Sequence, residues 1–426
     1  MSKSEIDRYY IVPEVYNGVI EIDRTRLEFS ATVYVGKDFR LVVDVTPLDL
    51  SSGAGNYLKV AQSYGKAGER VREFSLTAHS DTGKVLKSTN AFLTSLGSGP
   101  HGHSISIATR IATIVVPTEQ SVEKPIVRMW FRGFQCAPVL PIDTPLGQVS
   151  IFSKLDLVPH DEVSGGAVIE SADKTDSSEW CRDAEAFLKY IRQGLGFARG
   201  GWLQVPAVKY YTGDKCEVTF YAGSGSQGEL PVQYFHLAPY CKRLTARYFE
   251  GESIPDIIWA AVDWMQIDTM YHEVRFLTGM IALEALSTKL PDTLKKYMPS
   301  DKFKPVQKEL KTIIDQTIDT ESKQRLIDRI GNLNEKSFKE RIEALFDHYG
   351  IESTDFDDNI IRSMVSLRNK LIHRGVAEDR HELWENIILV RELIARIFLK
   401  EIGFEGRYDC YIGGQHTRLF PSCTPS

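Results

Sequence analysis

Hydrophobic and polar residues follow different periods in the two main parts of the chain. Over residues 9–157 apolar positions alternate with mostly polar ones in short runs, of which 27–35 is the clearest. A period of two puts alternate side chains on opposite faces of a strand. The sequence Ser80-Asp81-Thr82-Gly83 separates two such runs and predicts a hairpin turn. This part therefore predicts an all-β domain, sandwich-like or barrel-like.

A helical period replaces the alternation after residue 253. Proline and glycine residues divide this part into segments of helical length. Helices joined by short connections favour an antiparallel bundle, so the predicted fold class is α+β, with an N-terminal all-β sandwich-like domain and a C-terminal helical bundle. The predicted helices cover 254–264, 272–290, 305–318, 321–330, 336–348, 356–374 and 381–402.

Three further segments complete the predicted organisation. Residues 161–178 are rich in glycine, serine, alanine and acidic residues without periodicity, which predicts a linker. Residues 179–252 predict a small mixed connector, with one helix followed by short strands at 202–208, 216–221 and 232–236. The domain boundaries are therefore 1–160 for the β-rich domain, 161–178, 179–252, 253–402 for the bundle, and 403–426 for an irregular tail.

The overall charge excludes one class of protein. The 426 residues carry a formal net charge of −6, and the isoelectric point is about 6.0. Such a chain does not coat nucleic acid through bulk charge, so phosphate binding requires a local basic patch.

Cysteine usage and hydropathy indicate a compartment. The six cysteines show no C-x-x-C spacing, the N-terminus lacks the pattern of a secretory signal, and no apolar run reaches the length of a membrane helix. We expect a cytoplasmic protein with reduced thiols. His101 and His103 lie in a glycine-rich loop without a third ligand, so we expect polar surface there rather than a metal, and we expect no cofactor.

The predicted helix at 356–374 carries the chemistry. Acidic residues open it and Gly375 ends it. Ile360, Met364, Leu367 and Leu371 recur at helical spacing, and Ile372 is predicted to widen the same apolar sector. An arginine at the rim of this sector, Arg368, needs a partner, and Asn369 and His373 stand four residues apart at its edge.

The segment Arg368-Asn369-Lys370-Leu371-Ile372-His373 resembles the Arg-(polar)-x3-His signature of HEPN domains (higher eukaryotes and prokaryotes nucleotide-binding). The stretches 190–200, 276–286 and 402–408 are similar to the Apea-like branch of that family, so the resemblance covers about 179–408. The β-rich part resembles only loosely the sensor domains found in such proteins.

This resemblance implies a metal-independent endoribonuclease that acts as a homodimer, with two copies of the motif facing a cleft. It implies Arg368, Asn369 and His373 as catalytic residues. Lys370 and Arg374 would add a basic surface for the RNA backbone. It also implies a toxin-like effector of anti-phage defence (abortive infection) whose β domain senses a phage-derived or cellular trigger.

A different interpretation of the same residues stays open. Arg368 pairs with a buried carboxylate in this view, with Glu284 as the structural partner, because a charge on an apolar face must be compensated. His373 then only stabilises the C-terminal end of its helix, where exposed carbonyl groups favour a cation. The corresponding function is a non-catalytic HEPN protein that dimerises and binds a partner through its β domain.

Overall fold

The chain divides into two compact units. The structure, a computed structural model, describes residues 13–22, 25–36, 40–47, 59–60, 62, 71–99, 102–137, 139–154, 162–173, 177–226, 228–267, 269–317 and 320–421. The first unit combines Met1–Gly196 with Leu203–Gln227, and the second combines Phe197–Trp202 with Gly228–Ser426. The first unit is rich in strands and the second in helices, which confirms the predicted α+β class.

Six strands of the first unit form a closed antiparallel ring in the order β4-β1-β2-β3-β6-β5, because β5 also pairs with β4. Their inward side chains build the core, and the predicted alternation is confirmed in β2, where Leu27, Phe29, Ala31 and Val33 are buried. The strands are β1 (Glu14–Ile22), β2 (Thr25–Val35), β3 (Leu41–Pro47), β4 (Phe74–Ser80), β5 (Val85–Gly99) and β6 (Gly102–Thr109).

The predicted hairpin turn joins β4 to β5. The Ser80 amide donates to the Lys84 carbonyl oxygen at 3.0 Å, and the Gly83 amide donates to that of Ser80 at 3.1 Å. Gly83 has φ +81°, which glycine adopts without strain. The turn was thus correctly predicted from its residues. His101 lies outside the described residues, whereas His103, which was predicted to lie in the same loop, belongs to β6.

The sheet continues beyond the ring through β7, which pairs with β5, β10 and β11. Strands β9 and β8 extend it from β10. The first unit also carries most of a long helix, α1, after β10. These elements are β7 (Ile111–Arg132), β8 (Ile142–Thr144), β9 (Gly147–Ser153), β10 (Val163–Glu170), α1 (Ser177–Arg199) and β11 (Ala207–Tyr221).

The linker predicted over 161–178 is wrong for its central part, which is strand β10. The strand pairs on both sides and is buried on both faces. A Cβ on Gly165 would lie 2.6 Å from the Phe152 carbonyl oxygen, and one on Gly166 would lie 2.5 Å from that of Met129. Small residues are required by this close approach, so the strand lacks the alternation that marks half-buried strands.

The connector predicted over 179–252 is divided between the two units. The strands predicted at 202–208 and 216–221 are replaced by one strand, β11, which follows β7 from Ile111 to Met129 with register shifts around Gly213. The strand predicted at 232–236 is instead a short 3-10 turn, Tyr234–His236. The short alternating runs therefore predicted strands that are too short, because a bulge interrupts the alternation within β11.

Six of the helices predicted after residue 253 are confirmed with ends that differ by at most two residues, and the helix predicted at 305–318 begins five residues earlier, at Ser300. The helices at Leu237–Tyr248, within the predicted connector, and at Asp292–Lys295 were not predicted. Helix α4 packs against α3, α8, α9 and α10, which places it centrally among them. Among the described helices, none combines the length and the hydropathy that a membrane-spanning segment requires. The helices are α2 (Leu237–Tyr248), α3 (Asp256–Met265), α4 (His272–Thr288), α5 (Asp292–Lys295), α6 (Ser300–Thr317), α7 (Thr320–Ile330), α8 (Phe338–Tyr349), α9 (Asp358–Arg374) and α10 (Arg380–Glu401).

The tail predicted as irregular over 403–426 contains a hairpin of β12 (Gly406–Cys410) and β13 (His416–Phe420). Gly413 and Gly414 form the turn with φ of +70° and +108°. Tyr408 donates from Oη to Glu392 Oε1 of α10 at 2.8 Å, and both side chains are buried. The strands are only five residues long, so their alternation was too short to recognise.

Candidate functional site

Helix α9 is defined by its two caps. The Asp357 side chain accepts a hydrogen bond from the Ile360 amide at 2.8 Å, and Gly375 ends the helix with φ +77°. Its buried face consists of Ile361, Met364, Leu367 and Leu371. The helix and its glycine stop were thus correctly predicted. The prediction that Ile372 belongs to the buried sector is wrong, because Ile372 is 55% exposed.

Arg368 lies at the border of the buried face. Its Nη2 donates to Glu284 Oε2 on α4 at 2.8 Å. The guanidinium carbon is 5.2 Å from the ring centroid of Phe338 on α8, and 22% of the side chain remains exposed. A cation held between a carboxylate and an aromatic face is stabilised by both.

The carboxylate of Glu284 also contacts a second guanidinium. Arg341 Nη2 on α8 lies 3.5 Å from Glu284 Oε1, and its guanidinium carbon is 5.8 Å from the Phe338 centroid. The Arg341 Nε atom is buried and has no hydrogen-bond partner in the described part of the chain. Sequence reasoning missed Arg341 and Phe338. Only the packing of α8 against α4 and α9 reveals them, since nothing in their spacing marks them out.

An open groove with a volume of about 780 Å³ runs along the outer face of α9. Asn369, His373, Lys370 and Arg374 all line it, so the structure brings four of the predicted site residues together. These four side chains are exposed. The complete lining is Lys339, Arg362, Val365, Ser366, Asn369, Lys370, His373 and Arg374.

The groove carries basic side chains, most of them paired. Arg362 contacts Asp358 at 2.7 Å, Lys339 pairs with Asp358 and Glu343, and Arg374 pairs with Glu378. Within the described residues Lys370 makes no ion pair. The groove is thus a local basic patch on an acidic chain, in which Lys370 is the cation most readily available to an anion.

Two of the groove residues, Arg362 and Lys339, were missed by sequence reasoning. Arg362 precedes Ser366, Asn369 and His373 by four, seven and eleven residues, which is the spacing of one helix face. That signal was available in the sequence. Lys339 belongs to α8 and comes near α9 only through the tertiary fold.

Arg368 is not part of the groove lining. Five positions separate it from His373, which corresponds to about 140° around the helix axis. Its guanidinium contacts Glu284 and Phe338, whereas the imidazole faces the groove. A single chain therefore presents an imidazole, an amide and cations to one groove, and holds the predicted phosphate-binding arginine beside it.

One comparison with known proteins matches this part of the chain. Residues 277–408 match the family model described as Apea-like HEPN. The matched segment contains Glu284, Arg341, Arg368 and His373, and the first unit lies outside it. Neither the curated proteins nor the solved structures contain a significant match. HEPN domains are generally ribonucleases, so the domain is of nuclease type at the family level. Residues 277–408 therefore correspond to an Apea-like HEPN domain.

Proposed function

We propose that the protein is a metal-independent endoribonuclease that works as a homodimer in the cytoplasm. The observation that carries this proposal is the groove along α9. In it the exposed imidazole of His373 lies beside Asn369 and Lys370, and Lys370 makes no ion pair among the described residues. A proton-transfer group next to a phosphate-binding cation is the minimum that RNA cleavage requires.

The proposed reaction uses the nucleophile that RNA itself supplies. His373 accepts the proton of the 2′-hydroxyl while the 2′-oxygen forms a bond to phosphorus and the bond from phosphorus to the 5′-oxygen breaks. The imidazole of the second copy donates a proton to the leaving 5′-oxygen. The products are a 2′,3′-cyclic phosphate and a 5′-hydroxyl.

The other site residues bind and orient the RNA in this proposal. Arg368 stabilises the charge that develops on the scissile phosphate, and Asn369, one helical turn before His373, orients the imidazole or the phosphate. Lys370 and Arg374 contact the RNA backbone. Arg368 must then give up its hydrogen bond to Glu284 and donate to the phosphate instead.

Exposed apolar side chains on the helices that carry Glu284 and Arg368 support the proposal that two copies of the chain associate. Ile281 is 59% exposed and lies one turn before Glu284 on α4, and Ile372 is 55% exposed and lies one turn after Arg368 on α9. Val376, just beyond Gly375, is 65% exposed. Apolar side chains that flank an ion pair on two packed helices form a surface that association would bury.

The test is cleavage of RNA in EDTA by the purified full chain. Wild type is compared with His373→Ala, Arg368→Ala and His381→Ala, the last a control whose exposed histidine lies on α10 outside the groove lining. We expect the first two variants to lose activity by at least about 100-fold and the control to retain it. Cleavage that needs a divalent cation, or that survives in His373→Ala, contradicts the proposal.

A second function has one observation in its favour. Arg368 gives its hydrogen bond to Glu284 and lies outside the groove lining, as expected of a non-catalytic HEPN protein that dimerises and binds a partner through its β unit. Intact RNA after incubation with wild-type protein, with phage-infected-cell extract present as a source of trigger, favours this alternative.

We also propose that the protein is a toxic effector of anti-phage defence and that its β unit receives the trigger. This unit lies outside the family match, so the ribonuclease assignment gives it no role, and the proposal assigns trigger recognition to it. The test is growth of phage-challenged bacteria that express wild type or His373→Ala. Arrest of growth and reduced phage yield with wild type alone is expected, and equal outcomes for both contradict the defence role.

A further inference from the structure

Glu284 serves two guanidinium groups with one carboxylate. Arg368 holds Oε2 at 2.8 Å, whereas Arg341 reaches Oε1 only at 3.5 Å, the outer limit of a hydrogen bond. The described residues give Glu284 these two ion pairs. The cluster of one carboxylate and two guanidiniums carries an excess of one positive charge, so it has room for one further anion.

Arg341 is the less satisfied of the two arginines. Its Nε is buried without a hydrogen-bond partner among the described residues, and its contact with Glu284 is long. Only 20% of its side chain is exposed, which restricts compensation by water. A partly buried guanidinium with spare donors gains from a closer carboxylate. Arg341 is thus ready to hold Glu284 more tightly when the other guanidinium leaves.

Departure of Arg368 would be unfavourable without a replacement. The Glu284 side chain is 36% exposed, so its carboxylate would be only partly hydrated if it lost the short hydrogen bond from Arg368. Phe338 lies under both guanidiniums, at 5.2 Å from that of Arg368 and 5.8 Å from that of Arg341. Both guanidiniums therefore have the Phe338 ring as a second contact besides Glu284.

We propose that Arg341 is a positioning residue, which takes over Glu284 when Arg368 transfers to the scissile phosphate. This inference rests on the proposed ribonuclease activity. In the resting protein Glu284 keeps Arg368 ordered beside the groove. When a phosphate enters, Arg368 donates to it, and Arg341 shortens its contact with Glu284 so that the carboxylate stays compensated.

The first test needs no RNA and is a double-mutant cycle in thermal unfolding. Arg341→Gln and Arg368→Gln each leave Glu284 one arginine, whereas the double variant leaves it none. We expect the fall in melting temperature of the double variant to exceed the sum of the two single falls, and Glu284→Gln to remove this excess. Arg362→Gln with Arg368→Gln is the matched control, because Arg362 pairs with Asp358, and it should be additive. Additive behaviour of the Arg341 and Arg368 variants overturns the inference.

The second test is steady-state RNA cleavage. Arg341→Gln should lower kcat by about tenfold with a smaller change in KM, because Glu284 then retains Arg368. Arg341→Lys, which keeps the charge, should lose less. Adding Glu284→Gln to Arg341→Gln should restore most of kcat, because Glu284 then no longer retains Arg368. If Arg341 were merely structural or bound RNA directly, the second substitution would not restore kcat. A double variant as slow as Arg341→Gln therefore overturns the inference. A wild type that cuts no RNA refutes the proposed function, and the thermal cycle then still decides whether Arg341 takes over Glu284.

Discussion

Successive side chains of α9 point in directions that differ by about 100° around the helix axis, so neighbouring residues have different contacts and different roles. Arg368 contacts α4 and α8, while its direct neighbour Asn369 lines the groove with His373. The signature therefore does not form one surface within one chain. It divides into an arginine held by a carboxylate and an amide-imidazole pair that faces solvent.

Lys370 is the residue on which we expect RNA affinity to depend most among the groove cations, since it makes no ion pair in the described residues. Lys370→Ala should weaken binding of an uncleavable 2′-O-methyl RNA several-fold and lower the slope of log K against log salt by about 0.7. Fluorescence anisotropy over a salt series measures both. Lys308→Ala, an exposed lysine on α6, is the matched control, and equal effects of the two variants would contradict a specific role of the groove.

A second residue-scale prediction concerns Asp355, which precedes α9 and accepts hydrogen bonds from Arg396 and Arg418. Burial alone would raise the pKa of Asp355, but the hydrogen bonds from Arg418 and Arg396 hold this pKa below its ordinary value. A lowered folded-state pKa means that the stabilisation is present above the unfolded-state pKa and is lost as the pH falls through the folded value.

Asp355→Asn should therefore lower the free energy of unfolding at pH 7 by about 1–3 kcal/mol, and the difference should shrink below about pH 4. Urea unfolding at several pH values measures it. The exposed Asp347, replaced by Asn, should change the free energy of unfolding by less than about 0.5 kcal/mol. A difference for Asp355→Asn that is constant over the whole pH range would contradict this account.

At the scale of elements, the position of α4 depends on its close approach to α3. Trp264 of α3 donates from Nε1 to the Arg275 carbonyl oxygen at 2.9 Å and to Thr278 Oγ1 at 2.8 Å. Its ring then lies against Gly279, where a Cβ would be 2.2 Å from Cζ2. Glycine in a helix interior is unfavourable by itself, so its presence here is explained by the tryptophan.

We accordingly expect Gly279→Ala to destabilise the second unit by about 1–3 kcal/mol, although alanine favours helix by about 1 kcal/mol. Thermal unfolding followed by circular dichroism measures the change. Gly331→Ala serves as the control, because the nearest atom to its Cβ, Nε2 of Gln307, is 4.0 Å away. A Gly279→Ala variant as stable as wild type would show that α3 and α4 approach less closely.

Elements were predictable where one face is buried and the run is long. Helix α9, with four buried residues at helical spacing and a glycine stop, has these features, and so does β2 with its strict alternation. Strand β10 escaped prediction because it is buried on both faces and needs glycines at its close contacts. Long-range pairing decided that segment, and no local pattern carries it.

At the scale of the whole molecule, the net charge of −6 makes the basic groove a local feature. The proposed dimer would place two such grooves together and supply the second imidazole. The exposed Ile281 and Ile372 mark the surface that we expect to associate.

Sedimentation velocity should give about twice the chain mass of 48.1 kDa for wild type. Ile281→Glu and Ile372→Glu should each give monomers and lose RNA cleavage, because a charge in a buried apolar contact is strongly unfavourable. Ile313→Glu on α6, at a residue 57% exposed, is the matched control and should remain dimeric. Dimers in all three variants would locate the interface elsewhere.

The sequence by itself determined the α+β class, the helix that carries the motif and the resemblance of this motif to HEPN domains, because periodicity, caps and a short motif are local properties of the chain. It also led to Glu284 as a partner of Arg368, since a charge beside an apolar face needs compensation. Only the tertiary structure decided that Arg341 and Phe338 share this site, that Lys339 joins the groove, and that Arg368 lies outside it. These relations join residues from different helices or depend on which neighbour covers each helix face, and packing, rather than local sequence, determines both.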